Sequence, residues 1–241
     1  FKKFLEKKHW DASVISLSGN TDCYQPAERK FKITRQLLEI ALAYQQPIGI
    51  ITKNALVLRD VDILSEMARL NLCMVYVSIN SLNEELRSKM EPRTTTAKQR
   101  LKIVETLSKA GIPMGVMVAP LVPGLSDHEV PKILKTIADC GAQSAGYTVV
   151  RLNGAIGPIF EDWLKKNYPD RFDKVWHMIQ SCHGGSVNDS RFNQRMRGEG
   201  NISQMISDTF KLHCRINKLN ENKIELNSSL FRIPGAQLPL F

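Results

Sequence analysis

Five short apolar runs, each ending on polar residues and separated by stretches of helical periodicity, organise the first two-thirds of this chain. Residues 13–18 run into Gly19-Asn20-Thr21-Asp22, 48–51 into Thr52-Lys53-Asn54, and 74–77 into Ser78-Ile79-Asn80. Residues 114–118 run into Ala119-Pro120, and 145–150 into Arg151. Runs of four to six residues rich in Val and Ile read as buried strands. Helices between successive strands read as crossovers of a parallel sheet. Residues 34–44 place Leu37, Leu38, Ala41 and Leu42 on one helical face, and Asp60 opens a helix with Val61, Leu64 and Ala68 on one side. Thr96-x-x-Gln99 predicts a capping box before Leu101, Val104 and Leu107, with Gly111 as the stop. Ser126-x-x-Glu129 predicts a second box, with Pro131 in the first turn and Gly141 as the stop. Five strands are too few to close an eight-stranded barrel, so the pattern predicts an α/β fold, a partial and open β/α barrel whose chemistry sits at the strand ends.

After Arg151 the texture changes. Gly154 and Gly157-Pro158 mark a break, helices are predicted over 159–168, 172–181 and near 202–219, and a polar stretch covers 183–200. The resulting organisation is a barrel over 1–157, a helical C-terminal extension over 158–222 and an extended tail over 223–241.

The 241 residues, 43% hydrophobic and 24% charged, suit one barrel-sized domain with an appendage. No apolar run reaches the ~18 residues of a membrane span, and no signal peptide is visible. The five cysteines, Cys23, Cys73, Cys140, Cys182 and Cys214, form no C-x-x-C pair, which points to a reducing, cytoplasmic setting. The net charge of +9 favours an anionic partner. Arg191, Arg195 and Arg197 fall in one short stretch and suit phosphates; ion pairs with Asp189 and Glu199 are the alternative.

Candidate chemistry clusters at the strand ends. Asn20, Thr21 and Asp22 suit a small polar ligand, though a turn favours the same residues. Lys53 can hold a carboxylate or form a Schiff base, against the plainer reading of a solvated lysine. Ser78 and Asn80 share one side of their strand. Arg93, after Glu91-Pro92, suits a two-point carboxylate contact or a surface ion pair. The histidines show no metal-ligand spacing, and His128 is expected to face solvent. No nucleophile elbow, Walker loop or dinucleotide fingerprint is present.

Together these pieces resemble the radical S-adenosylmethionine (radical SAM) enzymes, and among them the group related to spore photoproduct lyase and described as DNA repair photolyase-like. The matching segments are Gly19-Asn20-Thr21-Asp22-Cys23-Tyr24-Gln25-Pro26-Ala27-Glu28, Ile51-Thr52-Lys53, Val77-Ser78-Ile79-Asn80, Glu91-Pro92-Arg93-Thr94-Thr95-Thr96, Val118-Ala119-Pro120 and Gly124-Leu125-Ser126-Asp127-His128-Glu129. Asp189-Ser190-Arg191-Phe192 and Arg195-Met196-Arg197-Gly198-Glu199-Gly200 fit in the second half. The resemblance implies a partial (β/α)6 TIM-like barrel holding a [4Fe–4S] cluster and S-adenosylmethionine. It implies a lyase-like enzyme in which a 5′-deoxyadenosyl radical abstracts hydrogen from a substrate, with the cofactors doing the hard chemistry. By position, Asn20, Thr21 and Asp22 resemble the segment facing the methionine amine. Lys53, Ser78 and Arg93 resemble contacts to ribose or carboxylate, Asn80 is a further cofactor-binding residue, and Val118, Ala119 and the Tyr147–Val150 backbone resemble the adenine shelf. The family's C-x-x-x-C-x-x-C is absent and is expected before Phe1, so this form is expected to be unable to bind the cluster and inactive. The lyase's hydrogen-donor cysteine aligns with Gly19, with Cys23 further along, so photoproduct repair itself does not carry over.

Gln237-Leu238-Pro239-Leu240-Phe241 resembles the bacterial sliding-clamp motif, with Gln237, Leu238, Leu240 and Phe241 as the docking residues. The leading expectation is therefore a radical SAM enzyme acting on nucleic acid or a DNA lesion. The rivals are a non-catalytic, clamp-associated DNA accessory protein on the same scaffold and a Lys53-dependent barrel enzyme such as an aldolase.

Overall fold

The computed structural model describes residues 1–188 and 196–235. In chain order the elements are α1 (Lys2–Leu5), β1 (Ile15–Leu17), α2 (Glu28–Phe31), α3 (Ile33–Ala43), β2 (Ile48–Thr52), α4 (Val61–Arg69), β3 (Cys73–Ser78), α5 (Glu84–Met90) and α6 (Ala97–Lys109). They continue with β4 (Met114–Leu121), α7 (Val130–Asp139), β5 (Ser144–Val149), α8 (Ile156–Asn167), α9 (Phe172–Ser181) and α10 (Gly200–Ile216). The five strands form one parallel sheet in the order β1-β2-β3-β4-β5, with Ile15 opposite Ile48, Ile48 opposite Cys73, Val75 opposite Met114 and Val116 opposite Ala145. All five apolar runs are strands, and the α/β partial barrel stands.

Side-chain alternation sorts the two faces of the sheet. Ile48, Ile50, Cys73, Val75, Val77, Met114, Val116 and Val118 face the helices and join one buried core with Leu38 of α3, Leu64 and Met67 of α4, Ile103 and Leu107 of α6 and Ile133 and Ile137 of α7. On the opposite face Tyr76 lies across Gly115: a Cβ built on that glycine would stand 2.2 Å from the Tyr76 ring. Ser144 donates its hydroxyl to the Tyr76 hydroxyl at 3.3 Å. The stretch beyond residue 157 serves two cores. Ile206, Phe210 and Cys214 of α10 join the sheet core, whereas α8 and α9 build a smaller one with Leu86, Val122, Leu125, Val150 and Leu152.

The capping box of α6 is present in full, with Thr96 accepting from Gln99 N–H. The second box is not. Ser126 Oγ instead accepts from Val122 N–H at 2.9 Å, and Glu129 turns away to hold the loop after β3. There it accepts from Ser81 Oγ and from the N–H groups of Leu82 (2.8 Å) and Asn83 (3.1 Å). Three donors in a tertiary contact outbid one local cap. The expected break falls at Gly154, in the loop between β5 and α8, and does not extend to Gly157-Pro158, because α8 starts at Ile156 and proline is tolerated in a first turn, where its missing N–H has no helical partner to lose.

The edge of β5 is plugged rather than extended. Asn220 acts as a false strand residue: its side chain accepts from Ala145 N–H and donates to Ala145 C=O, both at 2.9 Å. Further along, Val149 N–H donates to Met196 C=O at 3.0 Å and Leu152 N–H to Val187 C=O at 2.9 Å.

Candidate cofactor site at the strand ends

The C-terminal ends of β1, β2 and β3 converge on one hydrogen-bonded chain. At the end of β1, Ser18 takes a left-handed conformation (φ 78°) that reverses the backbone, and its hydroxyl accepts from Cys23 N–H at 2.8 Å. Asn20 and Thr21 sit exposed on this turn. Asp22 points inward and is saturated. Its carboxylate accepts from Thr52 Oγ1 (2.8 and 3.0 Å), from Lys53 N–H (2.8 Å) and from Tyr24 N–H (2.9 Å). Asp22 therefore clips the β1 loop to the end of β2.

Lys53 leaves β2 at this clip, and its ammonium pairs with Glu91 Oε1. The other oxygen, Glu91 Oε2, takes Arg100 Nη2 at 2.8 Å. Arg100 is buried, 1% exposed. It spends its remaining donors on Ser78 C=O and Thr95 C=O, both at 2.9 Å, and on Thr94 Oγ1 at 2.6 Å. A buried guanidinium is tolerable only when charge and donors are met in this way. Burial raises the Glu91 carboxyl, but Lys53 and Arg100 outweigh it and hold its pKa below the ordinary carboxylate value. Arg87, also buried, braces the same turn through Glu91 C=O at 2.9 Å and Thr94 C=O at 3.0 Å.

Ser78 and Asn80 stand at the end of β3, 7% and 1% exposed. Both polar atoms of the Asn80 side chain are buried and without a hydrogen-bond partner among the described residues. A buried polar group left so costs ~1–3 kcal/mol, so an amide with both ends unmet calls for partners from outside the chain, a water or a ligand. Past the ends of β4 and β5 a cavity of about 370 Å³ opens, lined by Met90, Pro120, Arg151, Ile156, Phe160 and Met196 among others.

The structure thus brings Asp22, Lys53 and Ser78 into one bonded network, with Asn80 buried beside Ser78. It leaves the others apart. Arg93 is exposed and forms no ion pair among the described residues. Val118 buries its side chain on the helix face, leaving Ala119 half-buried on the opposite one. The Tyr147 ring packs on Phe210 of α10, centroids 4.7 Å apart, so only its backbone is left for a strand-end shelf. Arg197 is exposed. Arg191, Arg195, Gln237, Leu238, Leu240 and Phe241 lie outside the described residues. Residue-by-residue reading missed Thr52, Thr94 and above all Arg100. Its signal was present: a charge on the same helical face as Ile103, Val104 and Leu107 has to be paired.

The cysteines do not form a cluster site. Among the described residues no three His, Cys, Asp or Glu side chains come together as a metal site. Burial pushes the thiols up, to about 11 for Cys23 and about 12 for Cys73, whereas cluster ligands are thiolates.

This chain belongs to the radical SAM superfamily, whose family model matches residues 2–137. An uncharacterized protein of Mycobacterium tuberculosis is 30% identical over 168 residues, 69% of this chain and 49% of that one. One of Methanocaldococcus jannaschii is 27% identical over 171 residues, 71% and 62%. A structure of a spore photoproduct lyase variant superposes with a TM-score of 0.64 at 15% identity, covering 89% of this chain and 61% of that one. Another carries AdoMet and a dinucleoside spore photoproduct, with a TM-score of 0.58 and 14% identity. The chain spans about half to three-fifths of these proteins' lengths. No helix among the described residues is long and apolar enough to cross a membrane.

Proposed function

We propose that residues 1–241 form the S-adenosylmethionine-binding body of a radical SAM enzyme that acts on nucleic acid. The observation that carries the cofactor reading is Asn80, an unpartnered buried amide beside Ser78 at the end of β3. When bound, S-adenosylmethionine would supply the hydrogen-abstracting 5′-deoxyadenosyl group once an external electron cleaves it from methionine. Asn80 offers a donor and an acceptor together, the pairing that adenosine or an amino-acid group meets. Lys53, its side chain 32% exposed, offers a cation to the methionine carboxylate. When Lys53 turns to that ligand, Glu91 stays neutralised by Arg100, so the exchange strands no buried charge. Asp22 keeps the β1 turn against β2 and leaves Asn20 and Thr21 to face the amine. The residues present fit S-adenosylmethionine; they do not fit the [4Fe–4S] cluster, since no three cysteines come together among the described residues.

The nucleic-acid part rests on the net charge of +9 and on the cavity past β4 and β5, whose Met90, Ile156 and Phe160 suit the face of a base. The spore photoproduct lyase neighbour with its bound dinucleoside supports the same class of substrate.

Binding of S-adenosylmethionine measured by calorimetry tests the cofactor reading. Asn80→Ala is expected to weaken binding at least tenfold, about 1.4 kcal/mol, while the ligand-free protein melts no lower, because the variant removes an unmet buried amide. Undiminished binding would remove Asn80 from the site.

A further inference from the structure

A second cavity, about 230 Å³, lies midway along the open edge of β5, on the flank of the sheet rather than at its strand ends. Successive residues of a strand turn N–H and C=O to alternate edges. Ala145 and Val149 turn theirs to the open edge, where Asn220 and Met196 plug them. Tyr147 lies between the two, so its N–H and C=O face the same edge in the gap that the plugs leave. Around that gap stand Arg197, Ser207 and Lys211, with Gly146 in the strand. Neither Arg197 nor Lys211 forms an ion pair among the described residues, and no acidic side chain lines the cavity.

We propose that this cavity is a binding site for a phosphate-class oxyanion, held by Arg197, Lys211, the Ser207 hydroxyl and the Tyr147 N–H. The charged groups are of one sign, and the Tyr147 carbonyl is the acceptor the anion has to avoid. A guanidinium, an ammonium, a hydroxyl and an amide N–H converge with no competing carboxylate, which is the chemistry of phosphate recognition. Two unpaired cations at one cavity repel each other, and an anion between them relieves both. A peptide strand fits worse, since the plugs leave it one residue of β5 to pair with. The site stands apart from the Lys53–Glu91–Arg100 network and does not depend on the cofactor reading.

The source of the phosphate is either a nucleic-acid backbone or a free phosphate, and one experiment separates them. The protein is titrated with inorganic phosphate by calorimetry at low ionic strength, then again with a short single-stranded oligodeoxynucleotide present. Saturable phosphate binding is expected, at least tenfold weaker in Arg197→Gln/Lys211→Gln at an unchanged melting temperature and largely kept in Lys211→Arg. Displacement of phosphate by the oligonucleotide assigns the site to a backbone phosphate; binding of phosphate that the oligonucleotide does not displace assigns it to a free one. Equal binding by wild type and double variant, or no saturable binding by the wild type, overturns the proposal. S-adenosylmethionine binding should be the same in both proteins, which keeps this test separate from that of Asn80.

Discussion

Glu91 shows how much of the site hangs on one carboxylate. Its two oxygens hold separate cations, Lys53 at the solvent side and Arg100 in the interior. Removing Glu91 leaves Arg100 buried without its counter-charge, and breaking a buried pair by deleting one member costs ~3–5 kcal/mol. Glu91 keeps some exposure, 11% of its side chain, so about 3 kcal/mol is expected for Glu91→Ala. The effect carries a pH signature. A carboxyl whose folded pKa is lowered stabilises the fold above its unfolded pKa, and that contribution disappears as pH falls through the folded value. Denaturant melts at a series of pH values should show the wild type losing its advantage over Glu91→Ala below the ordinary carboxylate range. A stability gap that stays constant to low pH would show that the carboxylate charge is not what the network uses.

At the scale of elements, the strands were legible because their apolar runs are short, rich in Val and Ile and closed by polar residues, and α6 because its capping box is local. What escaped was tertiary. Ser126-x-x-Glu129 has the letters of a cap, yet Glu129 finds three donors on the loop after β3. Arg100 interrupts an apolar helical face, and its partners come from four separate residues, 78, 91, 94 and 95. Gly115 is a further case: a glycine inside a strand reads as a weak spot, but Tyr76 fills its place. Gly115→Val puts a branched side chain 2.2 Å from that ring and should cost ~1–3 kcal/mol by overpacking. A melting temperature within error of the wild type would mean that Tyr76 swings clear at no cost.

For the whole molecule, the parallel sheet gathers three strand ends into one network, and the segments around Asn220, Val187 and Met196 close the far edge. The place of the candidate site was legible, and which of its residues are already bonded was not. Lys53, Ser78 and Asn80 follow from the rule that chemistry sits where parallel strands end, but that rule does not say which polar residue is already spent. Asp22 is spent on Thr52, Lys53 and Tyr24, and Asn80 is not; only the bonded geometry separates them. The radical SAM family model covers residues 2–137, a stretch that contains all three of these strand ends.

The central claim is tested most directly in a form of the protein that takes up a [4Fe–4S] cluster on anaerobic reconstitution with iron and sulfide, given S-adenosylmethionine and a strong reductant, by measuring 5′-deoxyadenosine. The claim predicts its formation by the wild type and its loss in Asn80→Ala. A reconstituted, cluster-bearing wild type that forms none, or an Asn80→Ala protein that forms as much, would contradict it.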